Sequence, residues 1–307
     1  MNRVLVTGGT GFIGRHVLKP LIELGVEVHI ASRSAITSPE GVASHRIDLL
    51  IPASVSDFIR AVRPTHLLHL AWLSGPGGGR YDAPENELWT AASIELFRTF
   101  VRTGGRRAVF AGTCAEYDWG HETLHETKTP LHARTAYGRA KNVVRKATQK
   151  LASEAGVSTA WARIFFTFGP HEPLGRLVSD IASALVAGQV VETTAGQQER
   201  DYLYVADVAS ALVALTGSNL TGTINIASGE SVPVRRIVNI LGVLSGRTDL
   251  LAIGARASSS ADPQRLVADV TRLRRELGFT PRYSLEEGLE ATLEWWRTEL
   301  PPESNTR

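Results

Sequence analysis

The chain has 307 residues, 43% of them hydrophobic, which suits about two domains or one with an appended lobe and excludes disorder except at the ends. Its 33 Lys and Arg against 31 Asp and Glu leave a net charge of +2, too even for a protein built to hold nucleic-acid phosphates. A single Cys excludes an intrachain disulfide framework and a Cys-based metal cluster, and points to a reducing, cytoplasmic setting.

In chain order, the apolar runs at 4–7, 27–31, 66–71, 108–112 and 159–164 read as buried strands. Segments 13–24, 54–62, 87–103 and 136–155 between them have helical length and spacing. Strand followed by helix, repeated, implies right-handed crossovers and a parallel sheet covered on both faces. After Gly169-Pro170 the pattern changes: 176–187 reads as a helix, 201–215 as a strand end and helix, and 223–226 as a strand. Helices near 235–245 and 284–298 complete a smaller lobe. The expected fold class is therefore α/β, a doubly wound parallel sheet (Rossmann) with a smaller C-terminal α/β substrate lobe. The expected division is 1–168 plus about 201–228 for the dinucleotide domain, and 169–200 plus about 229–307 for the substrate lobe. The basic stretches Arg106-Arg107 and Arg272, Arg274, Arg275 read as solvated faces. No apolar run approaches the roughly 20 residues of a membrane span, and the start lacks a signal-peptide pattern. The loop Ser74-Gly75-Pro76-Gly77-Gly78-Gly79 follows a strand's carboxyl end, where either a mobile lid or a plain surface loop fits.

Chemistry concentrates in a few places. After the first strand comes Thr7-Gly8-Gly9-Thr10-Gly11-Phe12-Ile13-Gly14, where glycines let the backbone approach a pyrophosphate and the next helix offers its N-terminal amides. At the end of the second strand, an NAD-specific site places an acidic residue against the ribose hydroxyls. This chain has Ala31-Ser32-Arg33-Ser34 there, and Ser32 and Arg33 suit a 2′-phosphate, so NADP(H) is expected over NAD(H). Asp48-Leu49 is placed near the adenine. Tyr137 and Lys141 are four residues apart at the start of a helix, hence on one face, where an ammonium lowers a phenol's pKa from its usual value near 10. Thr113 closes the strand at 108–112, with its hydroxyl at a carboxyl end. His121-Glu122-Thr123-Leu124-His125 matches a zinc-protease pattern, but it lies between Gly120 and Pro130 in what reads as a loop, so no metal site is expected.

Together these features resemble the extended short-chain dehydrogenase/reductases, over nearly the whole chain. The resemblance is carried by the glycine turn, His69-Leu70-Ala71, Tyr137 with Lys141, Arg163 to Gly169-Pro170, Arg200-Asp201-Tyr202 with Val205 and Asp207, and Leu285 to Leu289 before Trp295. It implies that Thr113, Tyr137 and Lys141 form the catalytic set. It also implies that Arg200 faces a sugar nucleotide's phosphates, and that the chain dimerises through the helices near 87–103 and 137–155. The expected cofactor site comprises Gly8, Gly11, Phe12, Ile13, Gly14, Ser32, Arg33, Asp48, Leu49, Leu70, Ala71, Tyr137 and Lys141. The expected substrate site comprises Cys114, Phe166, Arg200 and Arg265.

Two departures bear on the reaction. Cys114-Ala115 stands where the family's 4,6-dehydratases carry an Asp-Glu pair, and Phe166 replaces a polar Asn before the Gly169-Pro170 step. The expected activity is NADP(H)-dependent reduction of a keto group, at C4, of a nucleotide-linked deoxysugar. The alternatives are an epimerase with tightly held NAD(P), a reductase of a non-sugar ketone, and a non-catalytic NADPH-binding scaffold.

Overall fold

The computed structural model describes residues 3–33, 39–73, 79–259 and 262–300. Ser34, Ser260 and the loop residues 74–78 lie outside the described residues. The chain opens with β1 (Arg3–Thr7), α1 (Gly14–Glu23), β2 (Glu27–Ser32) and β3 (Val42–Arg46). There follow α2 (Pro52–Val62), β4 (His66–His69), α3 (Asn86–Arg102), β5 (Arg107–Thr113), α4 (Ala136–Ala155) and β6 (Ser158–Ile164). With β7 (Gly222–Ile226) these strands form one parallel seven-stranded sheet in the order β7-β6-β5-β4-β1-β2-β3. The doubly wound sheet expected from the strand and helix alternation is thus present.

Alternation along each strand feeds two cores. Val4 and Val6 of β1, Leu68 of β4 and Val109 of β5 pack with Val17 and Leu21 of α1. On the opposite face Leu5, Leu67, Ala108 and Phe110 pack with α2, α3 and α4 through Ile59, Phe97, Phe100 and Val144. Period-two side-chain direction produces this division, and the crossover helices supply the cover that a parallel sheet needs on both faces. β3 was not anticipated, because in Val42-Ala43-Ser44-His45-Arg46 only Val42 is buried, as befits an edge strand.

Helix ends follow local chemistry. Thr135 caps α4, its hydroxyl accepting from the Gly138 N–H at 3.1 Å, and the helix stops at Gly156, whose φ of 66° is left-handed. The second lobe is built from α5 (Leu177–Val186), α7 (Val234–Ser245) and α9 (Leu285–Glu299), which bury Leu185, Ile237, Leu241 and Leu293 together. Ser284 and Glu287 form a capping box at the start of α9.

Buried carboxylates tie the returning segments to the sheet. Asp201 is fully buried and accepts from the N–H groups of Ser228, Gly229 and Ala268 and from the Ser228 hydroxyl. Burial raises its pKa from the ordinary carboxyl value, and those hydrogen bonds oppose the rise. Asp207, on α6 (Val205–Gly217), accepts from the N–H groups of Arg282 and Tyr283.

The basic stretches are not simply solvated. Arg107 is only 5% exposed, and its guanidinium donates to the carbonyls of Leu215, Thr216 and Leu220 at the end of α6 and to the Ser158 hydroxyl. Arg272 donates to the carbonyls of Thr221 and Thr223 and pairs with Glu276, and Arg274 reaches the Ser228 carbonyl. A planar, five-donor cation can serve several carbonyls at once, at the end of α6 for Arg107 and along the edge strand 222–226 and the turn after it for Arg272 and Arg274. Replacing Arg107 with Ala removes its donors from the Thr216 and Leu220 carbonyls, and is expected to cost about 1–3 kcal/mol in chemical denaturation. The exposed neighbour Arg106, changed to Ala, is expected to stay within about 0.5 kcal/mol.

Candidate active site

The registers bring Thr7, Ala31 and His69 side by side, and Thr113 beside Ile164, so the carboxyl ends of the strands share one edge. A cleft of about 740 Å³ opens there. Its wall includes Gly8, Gly11, Phe12, Ile13 and Gly14 on one side, Thr113, Tyr137 and Lys141 at the centre, and Phe166 and Tyr202 on the other. Ser32, Arg33, Leu49, Leu70, Ala71 and Cys114 also line it. Asp48 does not: Ile47 and Leu49 form that part of the wall, while the Asp48 carboxylate accepts from the Leu50 N–H at 2.9 Å. Arg200 and Arg265 stand outside the cleft wall as well. Arg200 is ion-paired with Asp262 at 2.6 Å and Arg265 with Glu199 at 2.8 Å, so each cation is directed to a carboxylate of the second lobe's strands and loops.

The glycine turn has the shape a dinucleotide demands. A Cβ at Gly14 would sit 1.9 Å from the Gly8 carbonyl, so only glycine lets α1 begin against the turn and present its first amides to the cleft. An extended cleft running from this turn past Ser32 and Arg33 to Tyr137 fits a dinucleotide laid along the sheet edge.

Thr113 is fastened from behind. It caps the short helical turn Cys114–Glu116, its hydroxyl accepting from the Ala115 N–H at 3.2 Å, while its own N–H donates to Glu116 Oε1 at 2.9 Å. The Glu116 carboxylate, fully buried, also accepts from Trp161 Nε1 at 2.9 Å and from Arg163 Nε at 2.7 Å. Burial works against the Arg163 cation, but Glu116 and Tyr117 together outweigh it, and the pKa stands above its ordinary value. The guanidinium lies over the Tyr117 ring at 4.3 Å, and the Tyr117 hydroxyl donates to Asn225 Oδ1 at 2.7 Å. Neither Glu116 nor the pairing was foreseen. The signal was a charge inside the apolar run 159–164, since a buried cation requires a partner.

Tyr137 and Lys141 enter from the first turns of α4. A Cβ at Gly138 would lie 2.2 Å from the Ala115 carbonyl, so glycine allows the helix to pack directly on the turn after Thr113 and brings the tyrosine beside it. The Lys141 side chain is almost wholly buried and donates to the Ala111 carbonyl at 2.8 Å. Its ammonium lies 3.9 Å from the centre of the Trp72 ring and 5.8 Å from that of Tyr137. Nearby, His69 is held between the hydroxyls of Thr7 (2.7 Å) and Ser93 (2.9 Å). Burial, with the Lys141 charge, lowers its pKa from 6.5 to about 3, so it is a neutral structural imidazole. Cys114 is buried, and desolvation, aided by Asp201, pushes its thiol up to about 12, so it is no nucleophile at neutral pH.

The segment His121–His125 is not helical; Leu124 instead pairs in parallel with Ala268. The context that a zinc-protease motif needs is therefore missing there.

A glycine turn at a helix N-terminus, with a Thr, Tyr and Lys set at the same sheet edge, is the arrangement of a dinucleotide-binding doubly wound fold. The profile of the NAD dependent epimerase/dehydratase family matches residues 4–227, and the chain belongs to that family, within the extended short-chain dehydrogenase/reductases. A UDP-glucuronic acid decarboxylase 1 from Xenopus tropicalis is 28% identical over 324 residues, covering 100% of this chain and 75% of the relative. A UDP-glucose 4-epimerase from Azospirillum brasilense is 26% identical, covering 96% of this chain and 92% of that one. Among solved structures, MoeE5 in complex with UDP-glucuronic acid and NAD is 28% identical with a TM-score of 0.85, covering 97% and 100% of the two chains. The Thermus thermophilus UDP-glucose 4-epimerase complex with NAD is 25% identical, with the same TM-score and the same shares covered. Among the described residues, no helix is long and apolar enough to cross a membrane.

Removing the Glu116 side chain leaves Arg163 buried without its carboxylate. Glu116→Ala is therefore expected to lose about 3–5 kcal/mol of stability in denaturant unfolding. A loss below 1 kcal/mol would show that the pair does not hold the strand end.

Proposed function

We propose that this protein is an NADP(H)-dependent oxidoreductase that reduces the 4-keto group of a nucleotide-linked deoxysugar. The observation that carries the reading is the convergence of Thr113, Tyr137 and Lys141 on a cleft that continues to the glycine turn. A nicotinamide held in this cleft would be the source or acceptor of the hydride. Tyr137 gives its phenolic proton to the alkoxide that forms from the carbonyl, and takes it back in the oxidative direction. Thr113 donates its hydroxyl to the same oxygen, from a backbone position that Glu116 restrains. Lys141 keeps a positive charge next to the phenol and is the group proposed to bond the cofactor's ribose.

Several residues support the finer parts. Arg33 and Ser32 sit where the cofactor's ribose would end, with no carboxylate in Ala31-Ser32-Arg33, which favours a 2′-phosphate. Elimination of water is disfavoured, because neither Cys114, with its high pKa, nor Ala115 supplies an acid or base at neutral pH. Phe166 gives the substrate end an apolar wall against Tyr202, at 5.5 Å between ring centres, in keeping with a deoxygenated sugar carbon. For Arg200 to meet the substrate's diphosphate, as proposed, the exposed Asp262 must give up its ion pair. A homodimer through α3 and α4 is proposed on the exposed Leu88 and Val143 that these helices carry.

A second reading, epimerisation at C4 with a retained cofactor, is favoured by the UDP-glucose 4-epimerases among the relatives. Incubation with NADPH and a 4-keto nucleotide sugar separates the two. A reductase oxidises one NADPH per sugar reduced, whereas an epimerase interconverts carbinol epimers with no net consumption.

Tyr137→Phe is expected to lower turnover by at least about 100-fold, and Thr113→Val by about 100- to 1000-fold, both retaining cofactor binding in a fluorescence titration. Wild-type turnover in Tyr137→Phe would overturn the assignment. Arg33→Asp is expected to weaken NADPH binding by about 10- to 100-fold, the worth of one charge-assisted hydrogen bond, with little loss for NADH.

A further inference from the structure

Lys141 is the cation on which the proposed acid depends, and a lysine head on four rotatable bonds does not stay in place unaided. One of its three donors is used by the Ala111 carbonyl at 2.8 Å. A second side of the ammonium faces the Trp72 ring at 3.9 Å from its centre. Trp72 is itself located twice: its Nε1 donates to Asn86 Oδ1 at 2.9 Å, and its ring meets Tyr137 edge to face at 6.1 Å. Asn86 is buried at the start of α3, and its amide nitrogen donates to the Ala83 carbonyl, which leaves the carbonyl oxygen directed at the indole. Trp72 follows directly on His69-Leu70-Ala71 and lines the cleft.

We propose that Trp72 is a positioning residue whose ring face clamps the Lys141 ammonium beside the Tyr137 phenol, with Asn86 setting the plane of the indole. The inference rests on the reading of Tyr137 as the proton donor. An aromatic face suits this task better than a carboxylate. It attracts the ammonium through its quadrupole and carries no net charge, so the phenol still feels the lysine's full positive charge. A carboxylate in the same place would hold the lysine as firmly but cancel most of its field at the tyrosine. Several titratable groups stand near the pair. His69 is neutral down to about pH 3, Tyr81 meets Tyr137 edge to face at 5.9 Å, the Cys114 thiol stands near 12, and Asp82 accepts from the Ala136 N–H at the exposed start of α4.

The test reads the phenol directly, without substrate, so that it fails separately from the proposed reaction. Tyr137 ionisation is followed by ultraviolet absorbance against pH, with Tyr137→Phe subtracted in each background. Trp72→Leu is expected to raise the titration midpoint by about half a unit to one unit, the size of one cation–π contact. Trp72→Phe, which keeps a ring face, is expected to restore most of the difference. An unchanged midpoint in Trp72→Leu, or equal shifts in the Leu and Phe variants, overturns the proposal. Should Trp72→Leu not fold, the wild-type chain decides the matter by proton NMR. The Lys141 ε-methylene signal, identified by its loss in Lys141→Met, is expected upfield of the other lysines because of the indole ring current. A signal at the ordinary lysine position overturns the clamp.

Discussion

A parallel sheet whose strands end together is the constraint on which everything else here depends. Parallel pairing forces the chain to cross back between neighbouring strands, in most cases through a helix, so the carboxyl ends of the strands gather at one edge. Thr7, Ala31 and His69 reach that edge side by side, and Thr113 and Ile164 are paired with each other three residues further along. The glycine turn, the Ser32-Arg33 pair and the catalytic candidates are then neighbours in space although they are up to about 130 residues apart in the chain.

Precision at that edge comes from buried polar groups that would be costly if unpaired. Glu116 joins the Thr113 backbone, Trp161 and Arg163 in one desolvated cluster, and His69 joins Thr7 of β1 to Ser93 of α3. Each link crosses between elements, so shifting any one strand end would leave a charge or a ring nitrogen without a partner. The second lobe is secured in the same way, with Asp201 and Asp207 accepting backbone N–H groups from segments far along the chain. Residues that a motif comparison would file under function thus spend their side chains on holding the two lobes in place.

Much of this was legible in the residues. The long helices at 136–155 and 235–245 show strong periodicity and recognisable ends, Thr135 and Gly156 for the first, and they occur almost where expected. The glycine turn was readable because steric necessity leaves few other residues possible there. The edge strand β3 was not readable because only one of its five residues is buried, and the two-residue strands at 199–200, 232–233 and 265–266 carry too few side chains to show a period. The Arg107 and Arg272 side chains look like ordinary surface charge until the carbonyls they cap are known, and those carbonyls come from other elements.

Local pattern was enough to establish the fold class, the glycine turn and the helical pairing of Tyr137 with Lys141, because all three rest on spacings of a few residues that backbone geometry enforces. Tertiary packing alone placed Glu116 behind Thr113, turned Arg200 toward Asp262 and Asp48 toward Leu50, and set Trp72 over the lysine. Those outcomes depend on which partner a polar or aromatic group meets across the interior, and contacts between residues distant in sequence leave no periodic trace along the chain.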